Sequence, residues 1–205
     1  MHVMVARAPA DVLQPKPLTL EQWAAMDEDD PGEFVDEQLV EEEVPTILHE
    51  AVVSWLIETL RRWARPRGGW VFGSEYKLAV SARRGRKADA CMYASGVPLR
   101  GREALSRTPP TVIVEVISQQ PRDVRRDRME KASEYARFGV RWYWLVDPDA
   151  QLFEIWELGP TGQYVQANAA STGTMTVAGL DGLDLDLDAL WAEVAPLMDD
   201  NETGE

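Results

Sequence analysis

One cysteine in 205 residues, Cys91, excludes an internal disulfide, and a reducing cytoplasm is then the natural compartment. No run approaches the roughly eighteen apolar residues that a membrane span needs, and the first residues show no apolar signal core. A soluble intracellular protein with no membrane partner is expected. Internal repeats, a phosphate-binding glycine loop and zinc-ligand spacing are all missing. The aspartates of LDLDLDALW lack the glycine and spacing of an EF-hand, which sets a calcium loop aside. Basic residues are also few: 21 Lys and Arg stand against 35 Asp and Glu, a net charge of −14 that would repel nucleic acid if spread evenly.

The charge is not spread evenly. Residues 61–141 hold 19 of the 21 basic residues and 8 of the acids, +11 against −25 for the remainder. Two readings stand: the blocks mix and neutralise on folding, or the basic window is an electrostatic footprint for phosphate.

With 45% hydrophobic residues and eight Trp, the chain is rich enough for one full domain and too short for two. The expected division is a loose tail over 1–16, a single domain over 17–195 and an acidic tail over 196–205. Thr19 with Gln22 makes a capping box for a short helix. FVDEQLVEEEV reads as a hairpin. From Thr46 to about Arg65, apolar positions at three- and four-residue spacing predict an amphipathic helix. WVFGSEYKLAV gives two strands around Gly73, and ARRGRK a basic hairpin turn. The segment from Ala94 to Pro110 reads as a long loop, and a helix follows from about Asp123 to Phe138. RWYWLV and QLFEIWEL form another hairpin, and LDLDLDALW passes from an amphipathic strand into a helix.

Within this frame, two short apolar runs each carry one carboxylate where a strand normally carries none. Glu115 lies inside TVIVEVIS, a β-branched run typical of a strand covered on both faces, and Asp89 opens ACMY. Burying a carboxylate costs several kcal/mol unless a partner or metal compensates. If the strands adjoin, the pair either shares a proton or holds a cation. Mg2+ (or Mn2+) answers that need, because it takes one or two protein carboxylates and completes its shell with water and phosphate. Lys131, on the following helix, is placed to stabilise developing negative charge, with Asp127 one turn before it and Tyr135 one turn after. Arg83, Arg84, Arg86 and Lys87 either hold a phosphate backbone or are the ordinary furniture of an exposed turn.

The order Asp, Glu on a β-branched strand, then Lys resembles the PD-(D/E)xK nuclease superfamily. LTLEQW, GEFVDEQLVE, LHEAVVSWL, RKADACMY, PPTVIVEVIS, DRMEKASEYARFGV and RWYWLVDPD together resemble its Uma-type branch of restriction endonucleases, over about Leu18 to Leu190. The resemblance implies an α/β (α+β) restriction-endonuclease-like core, a central mixed β-sheet flanked by helices with extra β-hairpins. It further implies a divalent-metal-dependent endonuclease with Asp89 and Glu115 as metal ligands and Lys131 as the third catalytic group. His49 and Glu33 match family positions; on sequence alone, a histidine placed like His49 is more often a packed or capping residue than a ligand, and Glu33 is equally a strand surface residue. Ala88 replaces the usual proline, and Ile117 stands where the ExK lysine would be, so the lysine has to come from the helix. Nucleic acid, DNA first, is the implied partner, and a homodimer would join two basic windows into one groove. The alternative is a catalytically silent descendant that keeps the fold as a binding or assembly module.

Overall fold

The structure, a computed structural model, describes residues 17–27, 32–40, 44–117 and 126–198, with side chains from residue 129 onward in the last stretch. Twelve strands and four helices are described. α1 (Leu20–Ala24) begins at Thr19, whose side chain accepts from the Gln22 backbone while the Gln22 side chain accepts in return, the reciprocal cap expected from the sequence. The hairpin β1 (Glu33–Val35) and β2 (Gln38–Val40) follows. α2 (Ile47–Ala64) is capped by Thr46 and buries Val52, Val53, Leu56 and Leu60.

β3 (Trp70–Gly73) and β4 (Lys77–Ser81) are the two strands expected around Gly73, yet they join different sheets. The basic segment differs from expectation. Only Ala82 and Arg83 form the turn, and Arg84–Lys87 is a strand, β5, mostly buried. Gly85 explains part of this: a Cβ there would lie 2.4 Å from a Trp23 ring carbon, so only glycine lets α1 close over β5.

β6 (Ala90–Tyr93) and β7 (Val112–Val116) are the two apolar runs. A wide turn over Arg126–Lys131 leads into α3 (Ala132–Phe138), which ends at Gly139 in the left-handed conformation. β8 (Trp142–Asp147), β9 (Leu152–Leu158) and β10 (Tyr164–Ala170) extend the sheet, and β11 (Thr174–Thr176), β12 (Asp184–Asp186) and α4 (Leu187–Met198) complete the order. The helix runs through 196–198, which had read as the start of a tail; residues 1–16 and 199–205 lie outside the described residues.

The main sheet runs β10-β9-β8-β7-β6-β3, mixed because β7 and β8 are parallel while the other pairs are antiparallel. A register shift between Gln166 and Asn168 marks a bulge in β10. A second sheet, β2-β1-β5-β4, stands beside it. Alternation along the central strands assigns the two faces. Val112, Val114, Val116 and Trp144 join the core under α2 and α4, whereas Ile113, Ile117, Tyr143 and Leu145 join the core that includes Tyr135 of α3 and Leu78 of β4. Glu115 falls on this second face, between Ile113 and Ile117 along the chain.

Candidate active site

β6 and β7 are neighbours, with Ala90 opposite Val114, so the ladder brings Asp89 and Glu115 to the same end of adjoining strands. Asp89 sits in a bend just before β6, and its Oδ2 accepts the Val116 backbone N–H at 2.6 Å. It is the more accessible carboxylate, with 19% side-chain exposure against 2% for Glu115. Lys131 Nζ donates to Glu115 Oε2 at 2.7 Å, and the Tyr135 hydroxyl donates to Oε1 at 2.6 Å. Residues i and i+4 share one helix face, which is why both groups of the Lys131–Tyr135 pair reach one carboxylate.

Glu33 stands behind the lysine, fully buried, with Oε1 3.8 Å from Lys131 Nζ. The same oxygen accepts the Lys87 backbone N–H at 3.2 Å, and Oε2 accepts from Arg86 Nη1 at 2.5 Å. Arg86 is 1% exposed and turns its other edge to Glu134 of α3, Nε to Oε2 at 2.7 Å and Nη2 to Oε1 at 3.0 Å. Arg84 adds a bond to Glu134 at 2.9 Å and one to Asp36 at 2.6 Å. The Arg86 fork therefore ties β1, β5 and α3 together behind the two carboxylates.

This corrects the reading of the basic segment. Arg86 and Lys87 are buried, Lys87 8% exposed and 3.4 Å from Glu75, so neither guanidinium nor ammonium lies on an outward turn; Arg83 and Arg84 keep side-chain exposures of 64% and 26%. Burying such charge is tolerable because carboxylates from β1 and α3 face it. Nothing local in the sequence signals that pairing, since Glu33 and Glu134 lie 53 and 48 positions from Arg86.

Electrostatics follow the geometry. Burial pushes the Tyr135 phenol far above its ordinary range, and the Glu115 and Glu33 charges push the same way, so it remains a donor. For Arg86, burial opposes the charge but Glu33 and then Glu134 outweigh it. His49, in the first turn of α2, places Nε2 3.4 Å from Asp89 Oδ2 and Nδ1 3.6 Å from Glu50, beyond hydrogen-bond reach. Burial lowers its pKa, yet the bond and charge of Asp89, aided by Glu50, raise it above 6.5 overall.

A raised folded pKa means that the pair's stabilisation is complete below the unfolded value and disappears as pH rises through the folded one. The His49→Gln variant should therefore unfold more easily than the wild type at about pH 5.5, with the gap closing by about pH 9. Denaturant melts at both pH values measure it, and a constant gap would reject the pairing.

Among the described residues no group of three or more His, Cys, Asp and Glu is placed to hold a metal. The donors on offer are two hard carboxylates, a set that fits Mg2+ in kind and leaves most of its shell to water and phosphate. Asp127, the other supporting candidate, lies outside the described side chains.

A mixed sheet flanked by helices is restriction-endonuclease-like architecture. The family model described as "Uma2: Putative restriction endonuclease" matches residues 18–188, and the chain belongs to that family. Among solved structures it is similar to one described as a putative nuclease belonging to DUF820 from Anabaena variabilis ATCC 29413, with a TM-score of 0.68 and 18% identity over 87% of this chain and 99% of that one. At that identity the likeness establishes the fold. No curated protein matches the chain.

Proposed function

We propose that this protein is a divalent-metal-dependent endonuclease that hydrolyses phosphodiester bonds, DNA being the first substrate to test. The observation that carries the reading is the Lys131 ammonium 2.7 Å from a carboxylate that neighbours Asp89 across a strand pair. It supplies, from the helix, the cation missing at Ile117. Asp89 and Glu115 would hold Mg2+ or Mn2+. When bound, the ion would lower the pKa of a water and polarise the phosphoryl oxygen.

The chain's own groups then have distinct tasks. Lys131 offers a positive charge toward the phosphate as it gains negative charge. Tyr135, held protonated, fixes the rotamer of Glu115, and the Val116 N–H fixes that of Asp89. Glu33 and Arg86 position Lys131 from behind. Arg83, on the exposed turn, would reach a strand backbone by turning from Asp36, its ion-pair partner at 3.1 Å, and two subunits with joined basic windows would present a longer groove. The buried free thiol of Cys91 suits a reducing cytoplasm.

Incubation with plasmid DNA and with RNA in Mg2+ or Mn2+ tests the reading. Wild-type protein should nick at least about a hundredfold faster than Asp89→Ala, the usual scale for losing a metal-site contribution of several kcal/mol. Equal product from both proteins would reject it. A second reading, a silent binding or assembly module, is favoured by Glu115 having both oxygens already engaged by Lys131 and Tyr135. Calorimetric Mn2+ titration separates the two, because the module reading expects no binding that depends on Asp89 and Glu115.

A further inference from the structure

The Lys131 ammonium faces a second carboxylate besides Glu115. Its Nζ donates to Glu115 Oε2 on β7 at 2.7 Å and stands 3.8 Å from Glu33 Oε1 on β1. All three side chains are shielded from water, that of Lys131 being 10% exposed, Glu115 2% and Glu33 1%. We infer that Glu33 is a second seat for this ammonium and takes it over when Glu115 Oε2 is given up to a divalent cation. The handover rests on the cleavage reading above; the seat itself rests on the geometry alone.

Burial makes a second seat necessary. An ammonium parted from its counter-charge inside a protein costs several kcal/mol, and a shielded one has little water to turn to. With no other carboxylate in reach, freeing Oε2 would strand the lysine and the site would resist a second cation. Glu33 removes that obstacle. Closing the gap from 3.8 Å to the roughly 2.8 Å of a charge-assisted hydrogen bond takes a movement of about 1 Å, within reach of the terminal torsions of a flexible four-carbon stem.

The two carboxylates are held differently, and the difference decides which group moves. Glu33 is fixed in place: Oε2 accepts from Arg86 Nη1 at 2.5 Å and Oε1 from the Lys87 backbone N–H at 3.2 Å, while Arg86 is itself gripped by Glu134 of α3 at 2.7 Å. The Arg86 guanidinium also compensates the buried charge of Glu33, so the seat is ready before the lysine arrives. On the other side, Glu115 keeps the Tyr135 hydroxyl on Oε1 at 2.6 Å, which holds the carboxylate in orientation while Oε2 is vacated. Only the lysine has to shift.

Two measurements test the seat, and neither is an activity. The first uses no metal. In crystals of Glu115→Gln grown with EDTA, the neutral amide is a poorer acceptor for an ammonium than Glu33, so the distance from Lys131 Nζ to Glu33 Oε1 should fall from 3.8 Å to about 3 Å or less. An ammonium that stays on the substituted amide, with the distance to Glu33 unchanged, would overturn the second seat.

The second is a calorimetric Mn2+ cycle. Glu33→Gln should weaken Mn2+ binding at least about tenfold in the wild-type background and less than about twofold in Lys131→Met, where there is no ammonium to house. An equal loss in both backgrounds would mean that Glu33 acts on the ion or on the fold directly, and would overturn the handover. If the wild-type protein takes up no Mn2+, the cleavage reading falls, and the Glu115→Gln crystals still decide the seat. Both glutamine substitutions keep the shape of the side chain, and failure of either variant to fold leaves the other measurement decisive.

Discussion

Replacing Arg86 by leucine should lower the free energy of unfolding by about 3–5 kcal/mol, because it removes the guanidinium shared by the fully buried Glu33 and the well-shielded Glu134 and leaves them only Lys131 at 3.8 Å and Arg84 at 2.9 Å. For a domain of this size the same loss lowers the melting temperature by roughly 10 °C. The magnitude comes from stranding charge rather than from deleting contacts. Changing Arg86, Glu33 and Glu134 together to apolar residues should therefore recover much of the loss. Arg86→Lys should fall between, since a single ammonium cannot reproduce the bonds from Nη1 to one carboxylate and from Nε and Nη2 to the other. Thermal and denaturant melts measure all three. A leucine variant within about 1 kcal/mol of wild type would show that the three charges are solvated in solution.

Lys131→Met should abolish most cleavage, by about 10²–10³-fold, while leaving metal affinity intact or improved. Methionine keeps the length of the side chain and removes the charge. Glu115 Oε2 then loses the ammonium at 2.7 Å, so the carboxylate is freer to hold a cation even as the phosphate loses its positive neighbour. Asp89→Ala should lose both properties. Mn2+ titration beside a nicking assay distinguishes them. If Lys131→Met cleaves at the wild-type rate, the ammonium is a structural counter-charge only, and the third catalytic group has to be sought elsewhere.

The elements that carry these charges were legible to different degrees. α2 and the strand containing Glu115 were plain, because apolar spacing of 3.6 or an unbroken β-branched run records burial directly in the sequence. The capping box at Thr19 was equally plain, being a local hydrogen-bond exchange. Asp89, Glu115 and Lys131 stood out as charges in the wrong surroundings or in a familiar order, and Glu33 only through that order. β5 was not legible. A run of Arg, Gly, Arg and Lys has the composition of a solvated turn, and what buries it are carboxylates supplied from β1 and α3, far along the chain. The ring of Trp23 over Gly85 is another such distant cause.

The irregularity in β10 has an effect on how molecules meet one another. This strand is the last of its sheet and leaves a line of backbone donors and acceptors at the margin, with Val165 61% exposed beside them. Such a border invites another chain to zip on and the process to repeat. The extra residue between Gln166 and Asn168 throws the spacing out of step, so a second copy cannot match it along its whole length, and growth into fibrils is discouraged at this margin of the sheet.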